Sequence, residues 1–110
     1  MTQKISVKEH IRINPKTGRM DARIIAACDC ELLGKIYSEK NGAHLDLLKY
    51  RTFYSGLLLE PDELSKLLVG AMNVNLVGPR AIDAASKVLP LSVKNARKIG
   101  GVLHLQFYVV

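Results

Sequence analysis

Tryptophan is absent from the 110 residues, and only six are aromatic. Cysteine is scarce too: Cys28 and Cys30 stand one residue apart, a spacing that strains a disulfide. That excludes a cross-linked secreted scaffold and points to reduced thiols in a cytoplasmic protein. No apolar run approaches the roughly 18 residues of a membrane-spanning helix. The N-terminus is polar and alternating, without the apolar block of a signal peptide. Repeats, linkers and low-complexity stretches are also missing. Acidic side chains are the minority sign, 10 against 16 basic, with a net charge of +6.

With 48% apolar residues, the chain is rich enough to fold and long enough for one modest core. Its charge is uneven. Residues 1–23 carry six basic and two acidic side chains, and residues 80–98 carry five basic and one acidic. The middle, 24–79, has five basic and seven acidic. Positive ends of this kind favour anionic partners, RNA among them. The candidate phosphate contacts are Lys4, Lys8, Arg12, Lys16, Arg19, Arg80, Lys94, Arg97 and Lys98. They form one surface if the two ends meet in space.

The chain reads as α+β: a mainly antiparallel sheet of five or six strands with two principal helices. Residues 4–13 alternate, with Ile5, Val7, Ile11 and Ile13 on an apolar face. The turn at Asn14–Gly18 leads to a more buried strand over 20–28. Leu32–Tyr37 resumes as a strand, Asn41-Gly42 turns a hairpin, and Ala43, Leu45 and Leu47 alternate on the return. Tyr50, Phe53 and Tyr54 lie beside Lys49 and Arg51 in what reads as a packed loop; basic residues among aromatics can also stack bases. Pro61, Asp62 and Glu63 open a helix carrying Leu64, Leu67, Leu68 and Ala71. Met72–Val77 is a strand, and a helix then runs from Pro79 to a stop at Pro90. Ser92 is placed to cap a short turn. Gly100-Gly101 bends the chain into a strand over 102–110.

Gly78-Pro79-Arg80 is the most site-like stretch. Proline suits the first helical position, the free N–H groups behind it attract anions, and Arg80 adds a charge. The turn lacks the glycines and the Lys-Ser/Thr of a phosphate-binding loop, and a tight strand-to-helix packing turn is the favoured reading over an anion site. Cys28-Asp29-Cys30-Glu31 offers metal-ligand chemistry, but a closed zinc site needs four ligands and only His44 or His104 could complete one. No metal or cofactor is expected. The alternative reading is a buried thiol beside a turn-capping aspartate. Cys28 with His104 as nucleophile and base has no spacing to support it.

Three stretches taken together resemble a family. They are Cys28-Asp29-x-Glu31-Leu32-Leu33-Gly34-Lys35, then Asn75-Leu76-Val77-Gly78-x-x-Ala81, then Ile99-Gly100-Gly101-Val102-x-His104-x-Gln106. In that order they resemble the uncharacterised archaeal family known as domain of unknown function 424, over about residues 4–107. The resemblance implies a compact, cytoplasmic archaeal protein and brings no established activity. Its characteristic polar residues fall on Cys28, Asp29, Glu31, Lys35, Asn75 and His104. Cys30 falls at a variable position, which weakens a two-cysteine metal site. Leu103 stands where proline is expected, and the basic Asn14–Arg19 turn is longer than the family pattern.

Three functions follow as expectations. The first is an RNA- or ribonucleoprotein-binding accessory protein linked to translation. The second is a small enzyme or ligand-binding domain, its pocket built from Cys28, Asp29, Glu31, Asn75, Gly78, Arg80 and His104. The third is a subunit docking through Phe107-Tyr108-Val109-Val110. Oligomeric state is open in all three.

Overall fold

A computed structural model describes residues 4–109. Its main sheet has six strands: β1 (Ile5–Ile13), β2 (Met20–Asp29), β5 (Leu57–Leu59), β6 (Asn73–Val77), β7 (Arg97–Ile99) and β8 (Val102–Tyr108). They lie in the order β5-β1-β2-β6-β8-β7. Every pairing is antiparallel except β2 with β6. A two-stranded sheet of β3 (Ile36–Ser38) and β4 (His44–Asp46) stands apart from it. The expected α+β domain is therefore present, with the small hairpin closed by the Asn41-Gly42 turn.

Three helices complete the fold: α1 (Arg51–Tyr54), α2 (Pro61–Leu68) and α3 (Pro79–Ser86). Glu60 and Glu63 form a reciprocal capping box at the start of α2, with Pro61 in the first turn. Leu64 and Leu68 on α2 and Ala81, Ile82, Ala84 and Ala85 on α3 pack against Ile5, Val7, Ile25, Val74 and Leu76 of the sheet. Burying each large aliphatic side chain contributes about 1.5–3 kcal/mol. The other face of the sheet is covered by residues 30–54. There Leu47 and Tyr54 meet Ala26, Cys28, Val77 and Val102. The sheet is thus the middle layer, with helices on one side and a small hairpin plus α1 on the other.

Several boundaries differ from the sequence reading. Leu32–Tyr37 is not one strand: Cys30–Leu32 forms a 3-10 turn and Gly34 takes a left-handed φ of 82°, so the strand starts only at Ile36. The 49–55 stretch contains α1 rather than only loop. Leu57–Leu59 is an edge strand that the sequence did not announce, and Arg97–Ile99 is a second. Val93–Asn95 is the short turn expected after Ser92, but the Ser92 hydroxyl makes no capping bond. Ile11 and Ile13 are half exposed, at 50% and 52%, rather than core. The cause is length: β1 and β2 have nine and ten residues and β6 only five, so the β1–β2 hairpin overshoots the helix layer. Val110, last of the expected docking residues, lies outside the described residues; Phe107 packs on the helix-side core while Tyr108 is exposed.

Candidate functional site

The parallel pairing of β2 with β6 decides the local chemistry. Cys28 lies opposite Val77, and Val77 lies opposite His104 on β8. The three stretches that carried the family resemblance therefore sit side by side on neighbouring strands. They do not form one pocket. Side chains alternate between sheet faces, so the polar residues divide into two groups.

The first group lies at the start of α3. Asp29 is 1% exposed. Its carboxylate accepts the backbone N–H groups of Arg80 and Ala81, at 3.1 and 2.9 Å. Arg80 Nη1 lies 3.9 Å from the same carboxylate and donates to Glu31 Oε2 at 2.6 Å, while Nη2 bonds Glu31 Oε1. Nη2 also reaches the Lys4 carbonyl, at 3.4 Å. Glu31 is held below the usual carboxylate range by this guanidinium. Burial pushes Asp29 up, and the two backbone N–H bonds and Arg80 pull it back. Gly78, with φ of 100°, lies against Asp29: a Cβ there would stand 2.4 Å from the carboxyl carbon. The anion expected at the Gly78-Pro79-Arg80 turn is thus supplied by the chain itself. Asp29 caps α3 from a neighbouring strand rather than capping its own turn.

Cys28 faces the opposite side, buried among Tyr54, Val77 and Leu47. Its thiol donates to the Asp29 carbonyl at 3.3 Å, and burial pushes its pKa up to about 12. A thiol so poised is a packing group rather than a nucleophile. Both cysteines are free. Among the described residues, no three His, Cys, Asp or Glu side chains come together as metal ligands.

The second group lies on that face. Asn75 Oδ1 accepts from the Tyr54 hydroxyl at 2.8 Å and from His104 Nε2 at 3.0 Å. That arrangement places the His104 proton on Nε2. Desolvation lowers the His104 pKa, and nearby Arg97 lowers it further. Asn75 and His104 line a cleft of about 300 Å³. Its walls are Tyr50, Phe53 and Tyr54 with Leu45 and Leu47. Asp46 also lines it, but its Oδ1 accepts the backbone N–H groups of Leu48 and Lys49 and so builds the turn. Two other hollows, of about 290 and 320 Å³, contain none of the candidate pocket residues.

The aromatic wall is anchored to β1. Buried Ser6 donates to the Tyr54 carbonyl at 2.8 Å and accepts the Gly56 N–H at 3.2 Å. His10 stacks on Phe53 with ring centres 4.4 Å apart, and His10 Nε2 is 2.8 Å from the Phe53 carbonyl. Sequence reasoning picked out Asn75 and His104 but missed Tyr54 and Phe53 as their partners. The signal was the aromatic cluster at 50–54, whose position depends on the fold.

Keeping His104 neutral has a consequence for stability. Its folded-state pKa is below the unfolded value, so the unfolded chain takes up the proton first. Stability therefore falls as pH drops below about 6.5, until the folded-state pKa is passed. Urea midpoints at pH 7.5 and pH 5 should show a smaller loss for His104→Gln than for the wild type. An equal loss in both removes His104 from the acid response.

The basic candidates are spread out. Lys8 and Arg12 lie on β1, with Arg12 bonded to Asp21 at 2.9 Å. Lys16 and Arg19 are at the hairpin turn and Lys94 is in the 93–95 turn. Arg97 and Lys98 are on β7, four strand positions from β1, or about 19 Å at ~4.8 Å per strand. The two chain ends do not merge. Register nevertheless puts Ser6, Cys28, Val77, His104 and Arg97 in one row on the cleft face, and Lys8, Ala26, Asn75 and Gln106 in the next. Lys98 pairs with Leu103, on the other face.

Residues 18–110 match the family described as protein of unknown function, DUF424. The chain belongs to this family. A crystal structure of an uncharacterised conserved protein from Methanopyrus kandleri is similar to this DUF424 chain, with a TM-score of 0.76 and 26% identity. The match covers 97% of this chain and 92% of that one. No curated protein matches. Residues 4–17, which hold all of β1, precede the family match, so Lys4, Lys8, Arg12 and Lys16 lie outside it. No helix among the described residues is long and apolar enough to cross a membrane.

Proposed function

We propose that this DUF424 protein binds single-stranded RNA along the part of the sheet face opposite α2 and α3 that residues 30–54 leave open. The supporting observation is the row structure of that face. Lys8, His10 and Arg12 stand at one margin, on β1, and Arg97 at the other; Asn75 and His104 lie at the cleft between them, and Gln106 and Tyr108 are exposed beside it. A sheet that presents aromatic and amide side chains between cations suits unpaired RNA: bases stack on rings while phosphates meet the charges. Arg80 plays no part in this reading, since Glu31 and Asp29 engage its guanidinium.

Fluorescence polarisation with a labelled single-stranded RNA, repeated over a range of potassium chloride, tests it. Each lost phosphate contact lowers the salt slope by about 0.7 for a single strand. Replacing Lys8, Arg12 and Arg97 together by alanine should lower the slope by about 2. Lys66→Ala, on the exposed side of α2, should leave it unchanged. Salt-insensitive or absent binding by the wild type, or equal slopes in both variants, defeats the proposal.

A further inference from the structure

We infer that the cleft between the sheet and residues 45–54 is a subsite for one unstacked nucleobase. The inference rests on the RNA reading above only for how the base arrives. At about 300 Å³ the cleft is at the lower limit of ligand sites, the size for one ring system rather than a stretch of chain. Its walls are aromatic and aliphatic, which suits a flat apolar face.

The polar inventory is specific. Asn75 Oδ1 uses both acceptor positions on Tyr54 and His104. This leaves the Asn75 amide with two N–H groups that have no partner among the described residues. With its proton on Nε2, His104 is left with Nδ1 as a free acceptor. The two side chains thus keep donors, on Asn75, and an acceptor, on His104, for a ligand. Every nucleobase carries the complement on its Watson–Crick edge, an acceptor beside an N–H donor. A phosphate finds a poor match: among the described residues no cationic side chain lines the cleft, Lys49 lying over the Tyr50 ring at its mouth, and Asp46 repels it. Arg97 lies outside, opposite His104 in the strand register, where the phosphate of an inserted nucleotide can meet it.

The cleft's polar core is also held in advance of any ligand. Tyr54 is buried and tied through its own carbonyl to Ser6, so its hydroxyl holds Asn75 without reordering. Tyr50, by contrast, is exposed at the mouth, with Lys49 Nζ 5.5 Å from its ring centre.

Two measurements on the full chain separate this inference from the RNA reading. The first compares a six-residue oligouridylate with its abasic counterpart, which has the same phosphates and no bases. The wild type should prefer the intact strand by about tenfold, as expected for one stacked base. Tyr50→Ala and His104→Gln should each shrink that preference; Tyr50→Ala removes only an exposed side chain, so folding is not at stake. The second titrates uridine monophosphate and follows the Asn75 side-chain amide and the residue 53, 54 and 104 signals by NMR. Equal, salt-sensitive binding of both strands with no response to the nucleotide overturns the subsite and the base stacking, and leaves only the phosphate contacts of the RNA face standing. Nucleotide-induced shifts confined to the cleft without strand binding uphold the subsite and overturn the RNA face. Absence of both effects overturns both.

Discussion

Asp29→Ala is expected to destabilise the protein by about 3 kcal/mol, read as a lower urea midpoint with an unchanged slope. A carboxylate accepting hydrogen bonds contributes about 1.5–3 kcal/mol, and loss of an N-terminal helix cap costs about 0.5–2 kcal/mol. Asp29 combines both roles for α3, through the N–H groups of Arg80 and Ala81. Ala81 is fully buried, so water cannot replace the lost acceptor without opening the core. Against a total stability of roughly 5–15 kcal/mol, that is a large share. Asp29→Asn keeps the shape and one acceptor oxygen, and should cost about half as much. The outcome also bears on function. Groups reserved for ligands or catalysis are commonly strained, so their removal leaves stability unchanged or raised. If Asp29→Ala is as stable as the wild type, Asp29 is not the structural cap described here and returns to the list of ligand candidates.

Local signals in the sequence were enough for most elements. Alternation over residues 4–13 marked β1, Asn41-Gly42 marked the β3–β4 turn, and Pro61 and Pro79 marked helix starts within a residue. Each depends on chemistry within a few residues. The misses depend on partners elsewhere. Leu57–Leu59 is a strand because β1 provides an edge, and Arg97–Ile99 because Gly100-Gly101 folds it onto β8. Nothing in three consecutive leucines, or in Arg-Lys-Ile, separates strand from loop. Ile11 and Ile13 alternate as core residues do, yet the helices end before reaching them. The candidate site shows the same division. Asn75 and His104 stood out as polar residues in apolar strands, and they do meet. Asp29 and Arg80 also meet, but as cap and helix start rather than as an open anion site. Distinguishing the two required the register, since Cys28 opposite Val77 places Asp29 beside Gly78.

That contact makes Gly78→Ala the second disruptive change, expected to cost about 3–4 kcal/mol. Two penalties add. A residue with a Cβ held at φ 100° and ψ 154°, a region essentially confined to glycine, costs about 1–3 kcal/mol. The new methyl would stand 2.4 Å from the Asp29 carboxyl carbon and 2.5 Å from Oδ2, closer than any real contact, with the carboxylate pinned by two backbone N–H groups. Either the cap retreats or the start of α3 moves, and each loses the bonds described above. The two substitutions share this contact, so they cannot be additive. In Asp29→Ala the obstructing carboxyl is gone, and Gly78→Ala on that background should cost only the backbone penalty. A double-mutant cycle in urea should therefore show the pair about 2 kcal/mol less damaging than the sum of the singles. Strict additivity means that Gly78 is required by its backbone angle alone. A coupling of the expected sign means that glycine stands there so that an aspartate from another strand can reach the helix.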